Sequence, residues 1–535
     1  MFKRRLVLLL IIAMMLSLLL LAGCANDKST SNSKDRSKDE LVLAISSEPE
    51  SGFDPTTGWG RYGSPLFQST LLTRDNNLKI INDLATSYTI SEDGLVWTVK
   101  LCDNVKFSDG KPLTASDVEY TYQTAAKSGS VVDLSEMKSV EAIDPYTVKF
   151  TLNQPQSTFV VKLISLGIVP KHAHGKDYSS NPIGSGPFKM VQWDKGQQII
   201  VEANSYYYGE KLDFKRITFL FLSEDAAFAA AQAGKVDIAA ITPTFARRKV
   251  EGMKLVALES VDNRGIYFPA EQPGKTTKDG YPIGNAVTAD ISIRKAINTA
   301  IDRQALVNGV LEGYGTPAYT IVDGLPWWNP DTVIKDCDLE GAKKILADAG
   351  WKDNDKDGVL EKDSLQARFN LFYPANDQLR QSLAIATADQ IKAIGIQVEV
   401  QGKSWDEIDT LKHANPVLFG WGCHDPLEMY NVYYSKRAGV ESYNPGFYSN
   451  PVVDKYMEQA LAAKDEKEAL EYWKKAQWDG QIGLCAKGDA PWAWLVNLKH
   501  LYLVRDGLDI GKQKLQPHGH GWPVTDNIAK WHWQD

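Results

Sequence analysis

The sequence predicts an α/β protein of two or three lobes, and three observations carry that expectation. About 500 residues follow an N-terminal targeting segment, too many to surround one hydrophobic core. Strand-like runs and turns are interleaved with capped helical patterns. The 15 Trp and 22 Tyr are costly to leave exposed and are useful for lining a pocket that grips small ligands.

The first element is a signal. "MFKRRLVLLLIIAMMLSLLLLAGC" has a basic start (Lys3, Arg4, Arg5), an apolar run and the small pair Ala22-Gly23 before Cys24. The run is nearly long enough to span a bilayer. However, small residues directly before a cysteine resemble a bacterial lipobox, in which residues 1–23 are removed and Cys24 carries the lipid. Residues 24–40 are polar and rich in Ser, Lys and Asp, which predicts a flexible tether. No later run approaches the ~20 apolar residues of a membrane span, so a soluble body on the outer face of the membrane is expected. Loss of the signal takes three positive charges and moves the net charge from −8 to about −11. An acidic body of this kind argues against nucleic acid as a partner. Cys102, Cys337, Cys423 and Cys485 are widely spaced, so a zinc or thioredoxin motif is not expected; one or two disulfides remain open, with the pairing undetermined.

Folding is expected to start near Leu41 with the β-prone run "ELVLAISS", followed by the turn-rich "EPESGFDPTTGWGRYG". "TISEDGLVWTVKL" reads as two strands around a Glu-Asp-Gly turn, and "VKFSDGKPL" as a further turn. Thr114 opens a helix in "TASDVEYTYQTAAK", with Asp117 placed for a capping box.

Several segments carry a resemblance. Asp83 to Tyr122, "PIGSGPFKMVQWDKGQQIIVEANSYYYG", "DISIRKAINTAIDRQALVNGVLEGYGTPA" and "DLEGAKKILADAGW" resemble, in order, the peptide/nickel-type (family 5) solute-binding lipoproteins of ABC importers. The resemblance implies an α/β, two-lobed, periplasmic-binding-protein-like clamp with an extra N-terminal subdomain. Lobe I would comprise residues 41–260 with an insertion at about 85–185, and lobe II residues 261–495. Residues 496–535 would return to lobe I with a histidine loop near the cleft mouth. It also implies a monomer that closes on its cargo and delivers it to a membrane permease and its ATPase, without enzymatic activity or cofactor.

Enzyme motifs do not survive inspection. Gly58-Trp59-Gly60-Arg61-Tyr62-Gly63 matches G-x-G-x-x-G but lies some ten residues past its strand. An irregular loop offering Trp59, Arg61 and Tyr62 to a cleft is the better expectation. Ser108 to Lys111 fits S-x-x-K inside a turn, without the partners an acyl-enzyme or hydrolase needs. His172 and His174 read as a decorated turn or helix start rather than a metal site. Asp353, Asp355 and Asp357 stand at EF-hand positions 1, 3 and 5, but Ser364 occupies position 12, so at most a weak structural calcium site is expected.

Two cargo classes remain open. Peptide-binding members hold the ligand's amino end with an acid, for which "GWGCHDPLEMYN" offers Asp425. Nickel-binding members grip a metal chelate with Arg and aromatic residues, and a protein histidine often completes the coordination. For that reading the chain offers His518 and His520 in "PHGHGW" as metal ligands, and Arg264 and Arg61 for carboxylates. His424, beside Trp421, Asp425 and Tyr430, completes the candidate site. "PHGHGW" followed by "DNIAKW" also resembles the tail of nickel-binding members. The expected cargo is therefore a Ni(II) chelate, such as nickel with two free histidines, with dipeptides or oligopeptides as the alternative.

Overall fold

The structure, a computed structural model, describes residues 37–45, 48–49, 51–61, 66–128, 132–440, 442–519 and 521–534. The expected lipid-bearing Cys24 and two candidate ligand residues, Tyr62 and His520, lie outside the described residues. No helix among the described residues is long and apolar enough to cross a membrane.

Two long antiparallel strands, Met253–Tyr267 and Trp492–Arg505, form the axis of the molecule. At ~3.3 Å per residue each spans on the order of 50 Å, enough to serve both lobes. One end of the pair is continued by Ile238–Ile241, Glu40–Ala44, Arg216–Leu220, Gln198–Ala203 and Phe188–Asp194; the other by Val417–Phe419, Arg368–Pro374 and Gln397–Lys403. The first seven residues of Met253–Tyr267 are half-buried or exposed, and the last eight are all buried, because the strand passes from a lobe surface into the interior.

The ladder between the two strands breaks where the lobes meet. Glu259 pairs with Lys499 and Asn263 with Asn497, leaving Ser260, Val261 and Asp262 opposite Leu498 alone. Such a bulge bends a strand and re-aims its side chains. Ser260 Oγ donates to the Leu498 carbonyl (2.5 Å), and the Val261 N–H donates to the Gln516 carbonyl (2.9 Å), which ties the C-terminal loop to the bend.

The inserted subdomain has a four-stranded antiparallel sheet, in the order Ala85–Ile90, Val96–Leu101, Thr147–Leu152, Met137–Asp144. Its first hairpin turns at Gly94 (φ 71°), where glycine alone is unstrained. The helix Ala115–Lys127 packs on the sheet, its Val118 and Tyr122 sharing one core with Trp97 and Phe150 of the strands. Its first turn is closed by the Asp117 carboxylate, which accepts from the Thr114 N–H (2.9 Å) and hydroxyl (3.0 Å).

The aromatic excess goes largely into cores. Trp97, Trp327, Trp351, Trp473, Trp492, Trp494, Trp522 and Trp531 are all buried, and Trp492 stacks on Trp494 with centroids 4.4 Å apart. Large rings remove the most apolar area from water, so the lobes use most of them before the cleft does. The four described cysteines are free thiols, so neither of the disulfides that the sequence left open forms among them.

Asp262 in the bulge is buried, and its Oδ1 lies 2.5 Å from Arg264 Nη1; His500 Nε2 lies 3.3 Å from Oδ2, and His518 Nε2 3.5 Å from Oδ1. Burial alone would raise this carboxyl, but Arg264, His518 and His500 hold it well below the ordinary carboxylate range. A group depressed in the fold contributes stability above its unfolded pKa and loses it as pH falls through the folded one. Asp262→Asn is therefore expected to cost about 3–5 kcal/mol near neutral pH. In urea unfolding the difference from wild type should contract only below about pH 4.

Candidate functional site

Two adjoining cavities lie between the lobes and share Arg61 and Cys423 on their walls. The larger, about 490 Å³, is lined by Trp59, Arg61, Lys162, Trp421, Asp425 and Tyr430 among others. The smaller, about 390 Å³, presents Arg61, Arg74, Asp83, Tyr208, His424 and Lys514.

The lobe I wall is set by a short turn. Asp54 caps the turn Pro55–Thr57, accepting from the Thr56 N–H (2.8 Å), and is pinned from outside by His174 Nε2 (3.0 Å). Gly58 then adopts φ 115°, and Trp59 packs edge-on against Phe53 (4.7 Å) and Trp522 (5.3 Å). That anchor carries exposed Arg61 to the mouth of both cavities. The described part of the G-x-G-x-x-G stretch, residues 58–61, is thus turn and not the start of a dinucleotide-binding helix. His174 also contacts the Tyr120 hydroxyl (3.0 Å), whereas His172 faces Asp109 (2.7 Å), so this histidine pair is divided between two carboxylates. Ser108–Lys111 is a turn, with the Lys111 N–H on Asp109 Oδ1 (3.1 Å).

The lobe II wall is the loop from Gly420 to Asn431, laid against the bend of the long strand. A Cβ at Gly422 (φ 151°) would stand 2.5 Å from the Val261 carbonyl oxygen, so only glycine permits the approach. Trp421 and Asn263 exchange two hydrogen bonds of 3.0 Å, leaving the half-buried Trp421 ring stacked on Tyr443. Glu428 accepts from the N–H groups of Gly422 (3.2 Å) and Cys423 (2.9 Å), holding the loop in shape, and burial pushes its carboxyl up to about 8. Asp425 is also raised by burial, partly offset by Lys162 across the cleft. Glu136 of the inserted subdomain is raised by burial as well; its Oε1 is buried without a hydrogen-bond partner among the described residues.

His424 differs from the other histidines. Burial first, then Lys514 and Arg74, push its imidazole down to about 3, so it stays neutral at physiological pH. It has a backbone hydrogen bond to Leu515, while its Nε2 is buried with no partner among the described residues.

Trp59, Arg61, Trp421, Asp425 and Tyr430 thus meet in one cavity, and His424 lines its neighbour. Two candidates stand elsewhere. Arg264 is buried on Asp262 and Asn263 O (2.7 Å), and His518 faces Asp262; neither lines either cavity. The reason is the bulge, which buries a carboxylate that must find cations before any cargo arrives. Lys162, Glu136, Glu428 and Arg74 escaped sequence reasoning because none stands in a motif and only the fold brings them to these walls. Asp353, Asp355 and Asp357 hold ligand oxygens within 4.8 Å of one another in an exposed turn, where the Gly358 and Val359 N–H groups already donate to Asp353 and Asp357.

Residues 79–444 match the sequence profile of the bacterial extracellular solute-binding proteins, family 5. The chain is 31% identical over 487 residues to Protein XP55 of Streptomyces lividans, covering 88% of this chain and 86% of that protein. It is 29% identical over 508 residues to the oligopeptide-binding protein AppA of Bacillus subtilis, covering 88% and 90%. Among solved structures, NikZ from Campylobacter jejuni in complex with Ni(L-His) superposes with a TM-score of 0.77 at 27% identity, covering 93% of this chain and all of that one. AppA from Bacillus subtilis with a nonapeptide gives 0.69 at 26%, covering 93% and 99%.

Because Glu428 is raised above its unfolded value, the folded state holds the extra proton and stability falls as pH rises between about 4.5 and about 8. Urea unfolding at pH 5 and pH 8 should therefore show a loss in wild type on the order of a few kcal/mol. Glu428→Gln, which cannot ionise, should lose much less.

Proposed function

Given that the chain belongs to the bacterial extracellular solute-binding proteins of family 5, we propose that it captures a nickel chelate between its lobes for an ABC importer. The observation that carries this reading is His424, a neutral imidazole of the smaller cavity's lining whose buried Nε2 has no partner among the described residues and would have to turn toward the cavity to meet a metal. Neutral imidazole nitrogen is a good donor to Ni(II). Around it, Arg61 at the cavity mouth would receive a carboxylate of a chelating amino acid, with Arg74 and Lys514 nearby; Lys514 is ion-paired with Asp526, and Arg74 donates to the Leu78 and His424 carbonyls. The likeness to NikZ in complex with Ni(L-His) supports the same reading.

A bare ion is a poor cargo for one or two imidazoles, because a nickel ion needs further ligands and an amino-acid chelator provides them. On closure, His518 or His520 would complete the coordination; His518 would have to leave Asp262 to do so. Cys24 would carry the lipid that holds the protein, as a monomer, at the outer face of the membrane. Asp353, Asp355 and Asp357 would bind at most a weak calcium ion, with no part in cargo choice.

A second reading, an oligopeptide cargo, is favoured by Asp425. This buried carboxyl lines the larger cavity and could receive an amino end, and AppA is a relative of comparable identity.

Titration calorimetry on metal-stripped protein separates the two. Heat is expected only from premixed Ni(II) and L-histidine, not from either alone. His424→Ala, or His518→Ala if that residue ligates, should weaken binding at least tenfold. Silence for every nickel sample, with heat from an oligopeptide mixture, would establish a peptide receptor instead.

A further inference from the structure

Arg437 lies on the lobe II wall of the larger cavity, at the end of the short turn Ser435–Arg437 that follows the helix Leu427–Tyr433. We propose that Arg437 is a specificity residue of the cleft, reading a carboxylate that the cargo presents in the larger cavity.

The side chain is held everywhere except at the end that would meet a ligand. Its Nε donates to Asn431 Oδ1 (2.8 Å), and its guanidinium lies over the Tyr443 ring, 5.1 Å from the centroid. Tyr443 is itself stacked on Trp421, so the guanidinium is seated on a row of rings. Nη1 and Nη2, by contrast, have no hydrogen-bond or ion-pair partner among the described residues and remain open to solvent. An arginine fixed at Nε and on one face, with both Nη groups open, offers the paired donors that a carboxylate accepts together.

The other cations near the cargo are less suited to this task. Arg74 donates to the Leu78 and His424 carbonyls, Lys514 is ion-paired with Asp526, and Arg264 is committed to Asp262. Lys162, on the inserted subdomain's wall of the same cavity, has no ion-pair partner among the described residues. Its ammonium is a point charge on a flexible stem, however, and fixes no ligand plane.

The class of anion follows from the acids that share these walls. Asp133 and Glu136 of the inserted subdomain and Asp425 of lobe II line the cavity together with Arg437. Carboxyl groups so placed would repel a dianion such as phosphate, whereas a carboxylate carries a single charge and matches the fork. The rest of the cargo in this cavity is then neutral or positively charged, as in a zwitterion.

This inference rests on the reading of the cleft as the cargo site, and it holds for a chelate and for a peptide alike, because both can present a carboxylate. His424 lines the smaller cavity and Arg437 the larger, so a cargo that uses both reaches from one into the other.

Titration calorimetry on metal-stripped protein tests it with paired probes that differ at the carboxylate: Ni(II) premixed with L-histidine or with L-histidinamide, and trialanine or its C-terminal amide. In whichever pair the wild type binds, it is expected to favour the acid over the amide by at least about tenfold. Arg437→Gln should shrink that preference roughly fivefold to tenfold, and Arg437→Lys, which keeps the charge and loses the fork, should restore only part of it. Lys162→Gln should shrink it less than Arg437→Gln does. Each variant is compared with itself on acid and amide, so a general loss of affinity does not mimic the effect. Binding of the peptides without the nickel samples would end the nickel reading and leave the subsite to be read from the peptide pair. The subsite is overturned by a preference that is the same in Arg437→Gln as in wild type, by a larger effect of Lys162→Gln, or by a wild type that binds neither acid.

Discussion

The structure depends on one arrangement, a pair of strands shared by both lobes and bent where the lobes meet. The bend is a bulge, and the bulge buries Asp262. A carboxylate removed from water is tolerated only if paired, and its partners come from three segments: Arg264 from its own strand, His500 from the facing strand and His518 from the C-terminal loop. The same carboxylate therefore fixes the course of the backbone between the lobes and keeps the C-terminal tail at the junction. The His518 N–H donates to the Gly422 carbonyl (2.6 Å), so that tail also touches the loop that forms the lobe II wall.

The cleft is consequently shaped by hinge and loop together. Gly422 lets the 420–431 loop lie against the bend, Glu428 holds its N–H groups, and the loop then presents Trp421, Asp425 and Tyr430 to one cavity and His424 to the other. Charges of both signs line these walls, with Lys162 and Glu136 contributed by the inserted subdomain. Such a surface suits a zwitterionic cargo bridging the lobes. A ligand that touches both lobes stabilises the closed state through contacts that the open state cannot offer.

Much of the framework could be read from the chain because it rests on local rules. The Gly94 hairpin, the Asp117-capped helix and the Ser108–Lys111 turn follow from turn and cap chemistry within a few residues. The cleft loops were legible where aromatic and charged residues cluster, as at Trp59-Gly60-Arg61 and in Trp421 to Tyr430. The hinge was not. Arg264 and His518 read as cleft residues because nothing local announces that Asp262 sits in a bulge, 238 residues in sequence from its partner His500. Lys162, Glu136 and Glu428 were likewise invisible, since their roles are set by burial against another lobe. The histidine loop has the composition of a metal-binding lid, but in this structure His518 serves the buried carboxylate.

The proposed nickel cargo requires that the clamp close on the chelate. Small-angle scattering with and without premixed Ni(II) and L-histidine tests it most directly. A smaller radius of gyration is expected with the premixed complex, and no change with Ni(II) or L-histidine alone. Contraction only with oligopeptides, or unchanged scattering with the nickel complex, would contradict it.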